Sequence, residues 1–257
     1  MGKRKGGKWA REAAPTTTGT TLSTSAPRSV SLTTRRAVLP PGVGVGAPGG
    51  AAPPLLCAAR VLAEDGDGAS VVYAESALTP RECAAWIAFG ERTGFADESR
   101  DESWNTAHRD NGRIAVDAPE IAAAVFERLS PLLPENLRGA VPTGCNPNLR
   151  LYKYVAGQRF GRHVDGSTRT AGGDTRFTVL LYLNGGADGA IDGGETRFYE
   201  NHGATRPLLA VAPSAGAALL HAHGDRCLTH EGSAVAAGVK YLLRTDVVYA
   251  QSGPPRT

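Results

Sequence analysis

Two side chains that could hold a metal ion together lie two positions apart, at His163 and Asp165. If this segment is extended, its side chains alternate, so the imidazole and the carboxylate point to the same side. Such a pair supplies two of the three ligands of a 2-His-1-carboxylate facial triad, which leaves coordination positions open. The pair alone is equally compatible with a strand-end histidine that hydrogen-bonds to an aspartate in a turn. A metal site therefore requires a second histidine from elsewhere in the chain.

Four histidines further along the chain are candidates for that ligand. His202 lies in a loop rich in Gly and Asn, where we expect an exposed side chain, whereas His221 and His223 end an apolar run and also suit core or turn positions. His230 differs from the others because a basic residue, Lys240, follows ten positions later. This spacing favours His230 as the third ligand.

A cation at that position would suit a dicarboxylate co-substrate. 2-Oxoglutarate chelates iron through its 1-carboxylate and 2-keto groups, so its distal carboxylate lies deeper and pairs best with a buried Lys or Arg. Lys240 and Arg244 share one face of the predicted last strand but lie roughly 13 Å apart along it. Only one of them can meet that carboxylate, and we favour Lys240. For Arg244 we expect an ion pair at the surface or strand end, for example with Asp246.

The residue pattern places these side chains in a β-rich domain. From residue 148 onward, short apolar or alternating runs are separated by Gly, Asp and Asn, which favours an antiparallel sandwich or jelly roll. The predicted strands span residues 149–155, 177–183, 195–199, 208–211, 217–221 and 240–249. The sequence shows no internal repeat and no second domain.

Two helices and one strand are predicted ahead of this β-rich segment. The strand spans residues 70–73. Thr79 is a good N-cap for a helix that runs to about Arg92. A second helix begins after Asp117 and is predicted to end at Pro134. Helices that precede such a block of strands are expected to pack outside the sheet.

Residues 1–50 differ from the rest of the chain in composition and charge. They carry eight Lys and Arg against one Glu. This excess of positive charge is larger than the net charge of +3 of the whole chain, so the residues after position 50 carry a net negative charge and are mildly acidic. Ser/Thr-rich and Gly/Pro-rich stretches predict a disordered tail. This tail suits a solvated extension, a nuclear or nucleolar signal, or an organelle transit peptide. The acidic body argues against a specific nucleic-acid-binding face.

Apolar segments and cysteine spacing predict the cellular compartment and the redox state of the cysteines. No apolar run reaches the roughly 20 residues of a membrane span, and no early apolar segment suggests a secretory signal. The cysteines are scattered without a CxxC pair, which favours free thiols over a zinc site: Cys57, Cys83, Cys145 and Cys227. We therefore expect an intracellular protein, in the nucleus or cytoplasm or in an organelle reached through the tail.

Five ordered motifs resemble the prolyl 4-hydroxylase-type catalytic domain of the 2-oxoglutarate/Fe(II)-dependent dioxygenase superfamily. The motifs are Tyr154-x8-His163-x-Asp165, Arg176-Phe-Thr-Val-Leu-Leu-Tyr-Leu, Gly193-Gly-Glu-Thr196, Pro213-x2-Gly216-x-Ala-Leu-Leu and His230-x9-Lys240. The resemblance is strong over residues 148–249 and loose over 70–147. It implies a mainly β fold with flanking helices (α+β), a double-stranded β-helix or jelly roll, in a domain of residues 55–251 with its core at 148–249.

The resemblance also implies roles for individual residues. His163, Asp165 and His230 would bind iron, Lys240 would pair with the distal carboxylate of 2-oxoglutarate, and Tyr154 would hydrogen-bond to that carboxylate. These five assignments define the expected catalytic site.

Further residues are expected around that site. Thr178 and Leu180 would line the co-substrate pocket. Arg109 and Arg113 precede the core and are candidate substrate contacts, although exposed surface arginines are the commoner case. The Gly-Gly-Glu-Thr run that begins at Gly193 is expected to be structural, because its glycines permit a tight turn.

The activity implied by the resemblance is hydroxylation coupled to decarboxylation of 2-oxoglutarate to succinate. The cofactors would be Fe(II), 2-oxoglutarate and O2, with ascorbate as reductant. The expected target is a residue of a polypeptide, such as proline. The alternatives are a small-molecule hydroxylase on the same scaffold and a non-catalytic jelly-roll binding module. Nucleic-acid dealkylation is disfavoured by the acidic body and by a lysine, rather than an arginine, at position 240.

Overall fold

The computed structural model describes residues 59–99, 101, 107–187 and 189–251. The tail predicted at residues 1–50 lies outside the described residues. So do residues 55–58, with which the predicted domain begins, and Cys57 among them. The other three cysteines are free thiols, as the sequence predicted.

The described residues are mostly β-strand. The strands are β1 (Ala59–Asp65), β2 (Gly68–Ala74), β3 (Ala96–Asp97), β4 (Gly112–Asp117), β5 (Ala140–Cys145), β6 (Asn148–Val155), β7 (Phe160–His163), β8 (Arg169–Thr170), β9 (Gly173–Tyr182), β10 (Ile191–Gly193), β11 (Thr196–Tyr199), β12 (Leu209–Val211), β13 (Ala218–Ala222), β14 (Thr229–Gly232) and β15 (Val235–Gln251). The helices are α1 (Pro80–Thr93) and α2 (Pro119–Leu129), with 3-10 turns at Ser130–Leu132 and Gly224–Arg226.

These strands form two antiparallel sheets. The larger sheet has the order β1-β2-β13-β9-β15-β6-β4-β3, with β5 and β10 also pairing with β15 and β8 pairing with β9. The smaller sheet has the order β12-β11-β14-β7. This mainly β architecture, with antiparallel sheets and few helices, confirms the predicted jelly roll.

The two predicted helices pack against the outer face of the larger sheet. α1 begins at a capping box in which the Thr79 hydroxyl accepts from the Glu82 amide at 3.2 Å. Trp86 from α1 and Leu129 from α2 are fully buried in the core that this face shares with the helices. Helix α2 ends at Leu129 rather than at Pro134 as predicted, because a 3-10 turn takes over.

Alternate side chains of β15 point to opposite faces of the larger sheet. One set packs in this outer core, and the other set points into the interior between the two sheets. Leu243 and Val247 belong to the outer core, whereas Leu242 joins a second core, which includes residues of the smaller sheet. Lys240 and Arg244 have the same parity as Leu242 and line the interior cavity with it. The period of two along the strand thus directs charged side chains into the interior.

Candidate active site

His163, Asp165 and His230 meet at the cavity between the sheets. His163 ends β7 and lies directly opposite His230 of β14 in the antiparallel register. Asp165 follows in the loop after β7, with its Oδ1 at 3.7 Å from His163 Nε2 and its Oδ2 at 3.8 Å from His230 Nε2. One ligand atom from each residue lies within 4.8 Å of the others. The structure therefore brings together the three residues that the sequence singled out.

Backbone carbonyls fix the tautomers of both histidines. Nδ1 of His163 lies 2.8 Å from the carbonyl oxygen of Gly161, and Nδ1 of His230 lies 3.0 Å from that of Leu228. A carbonyl only accepts, so each Nδ1 carries the proton and each Nε2 turns its lone pair toward Asp165. Burial lowers the pKa of His163 to about 3 and that of His230 below its usual value. Both rings are therefore neutral near pH 7, the state that binds metals.

The Asp165 carboxylate is held by hydrogen bonds that sequence reasoning did not anticipate. Its Oδ2 accepts from the Thr178 hydroxyl at 2.6 Å and from Arg244 Nη2 at 3.0 Å. Burial acts to raise the pKa of Asp165, but Arg244 and the nearby imidazoles hold it well below its usual value. The expectation of a surface or strand-end pair for Arg244 was wrong, because the side chain points into the cavity and pairs with Asp165 there. Its pairing with Asp246, at 3.3 Å, is confirmed.

Lys240 provides a buried cation in the lining of the same cavity. It lies opposite Tyr154 in the β15–β6 register and is 4% exposed. Its Nζ donates to the carbonyl oxygen of Gly194 at 2.5 Å and lies 5.6 Å from the ring centre of Tyr182. Burial lowers the pKa of Lys240 to about 8, while Glu195 acts in the opposite direction. Within the described part of the chain, Lys240 forms no ion pair with a carboxylate.

The Gly-Gly-Glu-Thr run does more than form the predicted turn. Gly193 and Gly194 have φ values of 73° and 74°, a region that favours glycine. The carbonyl of Gly194 is the acceptor for Lys240, and a Cβ at Gly194 would lie 3.2 Å from Lys240 Cδ. The run thus shapes the environment of the buried cation.

Tyr154, Thr178 and Leu180, which the resemblance associates with 2-oxoglutarate, all line the same cavity. The ring centre of Tyr154 lies 5.8 Å from Lys240 Nζ. Burial raises the pKa of Tyr154, so its phenol remains protonated and able to donate. Thr178 also donates a hydrogen bond to the carboxylate of Asp165. Its position on β9 alone does not reveal this role, because the contact depends on how the strands pair.

Arg109 and Arg113 are engaged with other side chains. Arg113 Nη1 donates to both carboxylate oxygens of Glu98, at 2.6 and 2.8 Å. Arg109 lies 3.9 Å from Glu98 and stacks over the Phe160 ring, 4.7 Å from its centre. Neither arginine is among the residues that line the cavity. Their role as substrate contacts stays a prediction.

The other histidines that the sequence offered have different environments. His202 is exposed, as expected. His223 is buried and its Nε2 lies 2.7 Å from the Thr178 hydroxyl, which places it behind the Asp165 carboxylate. His221 lies with its Nε2 only 3.7 Å from Asp165 Oδ2. The apolar run that ends in His221 and His223 indicated that these side chains are buried. The position of His221 beside the Asp165 carboxylate follows only from the pairing of the strands.

Comparison with known proteins assigns the domain to a family. Residues 149–245 match the model of the 2OG-Fe(II) oxygenase superfamily. The chain carries a 2OG-Fe(II) oxygenase domain. This oxygenase is an oxidoreductase of the dioxygenase class, and its family implies Fe(II), 2-oxoglutarate and O2. A search of curated proteins gave no match.

Solved structures similar to this oxygenase include two prolyl hydroxylases. A viral collagen prolyl hydroxylase from Paramecium Bursaria Chlorella virus-1, in a 2OG complex, is 18% identical with a TM-score of 0.50; 72% of this chain and 98% of that chain are covered. A prolyl hydroxylase from Trichoplax adhaerens, in complex with a hypoxia inducible factor peptide fragment, is 19% identical with a TM-score of 0.50; the coverage is 70% and 83%. At these identities the likeness shows a shared fold.

The donor set of this 2OG-Fe(II) oxygenase fits a divalent iron site. Two neutral imidazole nitrogens and one carboxylate converge, and each is oriented by a second hydrogen bond. That combination is typical of Fe(II) sites that keep open positions. Among the described residues, no helix is both long and apolar enough to cross a membrane.

Proposed function

We propose that this protein is an Fe(II)- and 2-oxoglutarate-dependent hydroxylase of a polypeptide residue, similar to the prolyl 4-hydroxylases. In this proposal, His163, Asp165 and His230 bind iron, and Lys240 pairs with the distal carboxylate of 2-oxoglutarate. Tyr154 donates a hydrogen bond to the same carboxylate.

The observation that carries the proposal is the ammonium group of Lys240, which pairs with none of the carboxylates that the structure describes and lies in the cavity that also contains the three candidate metal ligands. A buried cation without an anionic partner is costly, since its desolvation is not repaid. A dicarboxylate bound between the metal ligands and Lys240 supplies that partner through a charge-assisted pair. Monocarboxylate co-substrates lack the second charge that this position requires.

Each residue of the site has a separate role in the proposed reaction. When bound, iron with 2-oxoglutarate and O2 supplies the oxidising chemistry that inserts a hydroxyl group into the substrate. The carbonyls of Gly161 and Leu228 keep the two imidazole lone pairs aimed at the metal position. Arg244 keeps Asp165 ionised, and the apolar walls of the cavity exclude water from the reactive centre.

A groove beside the cavity supports a polypeptide as the substrate. Phe160, Gly232 and Ser233 line both the cavity and this groove, so the two adjoin each other. Arg159 and Arg197 also line the groove. A groove next to the cavity would accommodate the chain that flanks a target residue, whereas a small metabolite needs only the cavity. The prolyl hydroxylase structures of the same fold make proline the first target residue to test.

The cofactor assignment can be tested by anaerobic titration with Fe(II) and 2-oxoglutarate. Wild type should develop the visible metal-to-ligand charge-transfer band of the chelated keto acid. His163→Ala should lose the band. Lys240→Ala should keep it but require more 2-oxoglutarate, because the chelating end is intact while the distal carboxylate has lost its partner. A folded wild type that develops no band would contradict the proposal and favour a binding module.

The substrate assignment can be tested with peptide libraries. Mass spectrometry should detect gain of one oxygen atom on proline-containing peptides, with succinate formed in equal amount. Matched peptides with alanine in place of proline are the control. Succinate formation that responds to a small metabolite while no peptide gains oxygen would identify a small-molecule hydroxylase instead.

Two further assignments belong to the same proposal. Ascorbate is proposed as the reductant that maintains Fe(II), and its omission should shorten the productive phase of turnover. An intracellular location is proposed, with the basic tail of residues 1–50 directing the protein to the nucleus or an organelle. Fluorescence microscopy of the full chain and of a chain lacking residues 1–50 would test that role of the tail.

A further inference from the structure

His221 is a third imidazole at the candidate iron site that the proposed function does not use. It lies on β13, opposite Thr178 of β9, and is 2% exposed. Its Nε2 is 3.7 Å from Asp165 Oδ2, and its ring centre is 4.3 Å from that of His230. Imidazole nitrogens of three histidines thus surround a single carboxylate.

The hydrogen bonds of His221 differ from those of the two candidate ligands. His163 and His230 each donate from Nδ1 to a backbone carbonyl. Nδ1 of His221 is buried and has no hydrogen-bond partner among the described residues. No carbonyl therefore holds a proton on that nitrogen.

The missing partner determines where a neutral ring carries its proton. A proton on Nδ1 would leave a buried N–H donor unsatisfied and would also aim the Nε2 lone pair at the Asp165 carboxylate. A proton on Nε2 leaves only a lone pair unsatisfied and turns an N–H toward that carboxylate. The second arrangement costs less in both respects.

The N–H on Nε2 does not form a hydrogen bond with Asp165. The distance of 3.7 Å between Nε2 and Asp165 Oδ2 exceeds hydrogen-bond length. Oδ2 already accepts hydrogen bonds from Thr178 and Arg244. His221 lines the cavity in which the three candidate metal ligands meet. A donor is thus available at the cavity wall next to the metal position.

We propose that His221 donates its Nε2–H to an oxygen of the keto acid bound at the metal, and so acts as a positioning residue for 2-oxoglutarate. This inference rests on the proposed function. The donor is neutral, so it holds the chelating end of an anion without adding charge beside Arg244. The other possible role, a fourth metal ligand, needs the proton on Nδ1, where no acceptor receives it.

Two variants separate these roles when binding is measured without turnover. Mn(II) replaces iron, and calorimetry gives the Kd of Mn(II) and then the Kd of 2-oxoglutarate on the Mn(II)-loaded protein. His221→Phe retains a ring but removes the donor, and we expect the Kd of 2-oxoglutarate to rise about tenfold while the Kd of Mn(II) changes less than about threefold. His221→Gln retains an N–H donor and should recover most of the affinity. The exposed His202→Phe is the matched control and should change neither constant.

The results that overturn the inference are distinct. An unchanged Kd of 2-oxoglutarate in His221→Phe would exclude the contact. A loss of Mn(II) affinity of more than about tenfold would instead make His221 a metal ligand. Failure of the proposed function would show differently, as Mn(II) binding that His163→Ala does not weaken.

A measurement on wild type covers the case in which the variants do not fold. Nitrogen NMR of protein labelled at histidine, loaded with a diamagnetic divalent ion, reports the protonated nitrogen of each ring. We expect Nε2–H for His221 and Nδ1–H for His163 and His230. A proton on Nδ1 of His221 would refute the inference without any substitution.

Discussion

Arg244 donates from Nη2 to Asp165 Oδ2 over 3.0 Å, and both side chains line the cavity between the sheets. The same guanidinium contacts Asp246 at 3.3 Å. One cation therefore contacts two carboxylates, of which Asp246 also pairs with Arg150 and Asp165 is a candidate metal ligand. The position of Arg244 on β15, with the parity of Lys240, makes the last strand the source of both cations in the cavity.

Removal of the Arg244 charge should destabilise the fold. Arg244→Gln leaves Asp165 buried without its counterion, and the expected loss in the free energy of unfolding is about 3–5 kcal/mol at pH 7. Because Arg244 holds the pKa of Asp165 below its usual value, its stabilising effect is present at neutral pH and is lost as acid protonates Asp165. Urea unfolding should therefore show a smaller loss in the free energy of unfolding near pH 3 than at pH 7.

The control is the exposed Arg60→Gln, which breaks a surface pair with Glu75. It should change the free energy of unfolding by less than about 1 kcal/mol. Equal effects of the two substitutions would contradict this prediction.

The affinity for 2-oxoglutarate should depend on pH through Lys240. The pKa of Lys240 is lowered to about 8, so its ammonium form prevails below that pH and is lost above it. We expect the Kd of 2-oxoglutarate to be constant below pH 8 and to rise by up to about tenfold per pH unit above it. Calorimetric titrations of Mn(II)-loaded protein between pH 6.5 and about 9.5 would measure this.

Lys240→Arg is the control for that pH dependence. Arginine stays protonated throughout this range, so its Kd should be independent of pH even if a larger side chain weakens binding overall. The same rise of Kd with pH in wild type and in Lys240→Arg would assign the titration to another group.

The Thr178 hydroxyl should support metal binding through Asp165. Thr178→Val keeps the shape of the side chain but removes the hydrogen bond of 2.6 Å to Oδ2. Loss of such an orienting partner lowers metal affinity by roughly 10–100-fold. Thr178→Ser retains the hydroxyl and should bind Mn(II) nearly as wild type does. Calorimetry that found equal Mn(II) affinity in Thr178→Val and wild type would reject the role.

The Gly216 backbone should be intolerant of a side chain. Gly216 has φ +82°, and an added Cβ would lie 2.4 Å from the Leu78 carbonyl oxygen. The two residues are also joined by a hydrogen bond of 2.8 Å from Leu78 N to Gly216 O. Gly216→Ala should therefore lower the free energy of unfolding by about 1–3 kcal/mol, as judged by urea denaturation. At Gly66 no atom lies within 4 Å of an added Cβ, so Gly66→Ala should be far milder. The reverse order of effects would be inconsistent with the backbone geometry.

Local patterns predicted the elements that carry the site. Each of the six predicted strands from residue 148 onward corresponds to an observed strand. Thr79 caps α1 as predicted, because its hydroxyl satisfies a free amide of the first turn. The edge strand β1 was not predicted, since most of its residues are exposed and their alternation is weak. Short strands such as β7 and β10 were also missed because three or four residues carry too little periodicity.

The sequence by itself determined the chemical groups available and the face on which each strand presents them. It identified His163, Asp165 and His230 by spacing, and it placed Lys240 and Arg244 on one side of the last strand. Both inferences are local, because the side-chain alternation of a strand needs no knowledge of its neighbours.

Only the tertiary structure decided which of these groups meet. The register sets His230 opposite His163 and His221 opposite Thr178, although each pair is more than forty residues apart in sequence. It also turned Arg244 inward onto Asp165, where a surface or strand-end pair had been expected. The physical reason is that the register of antiparallel strands is fixed by the burial of whole sheet faces. A shift of one residue would turn every side chain of a strand to the opposite face.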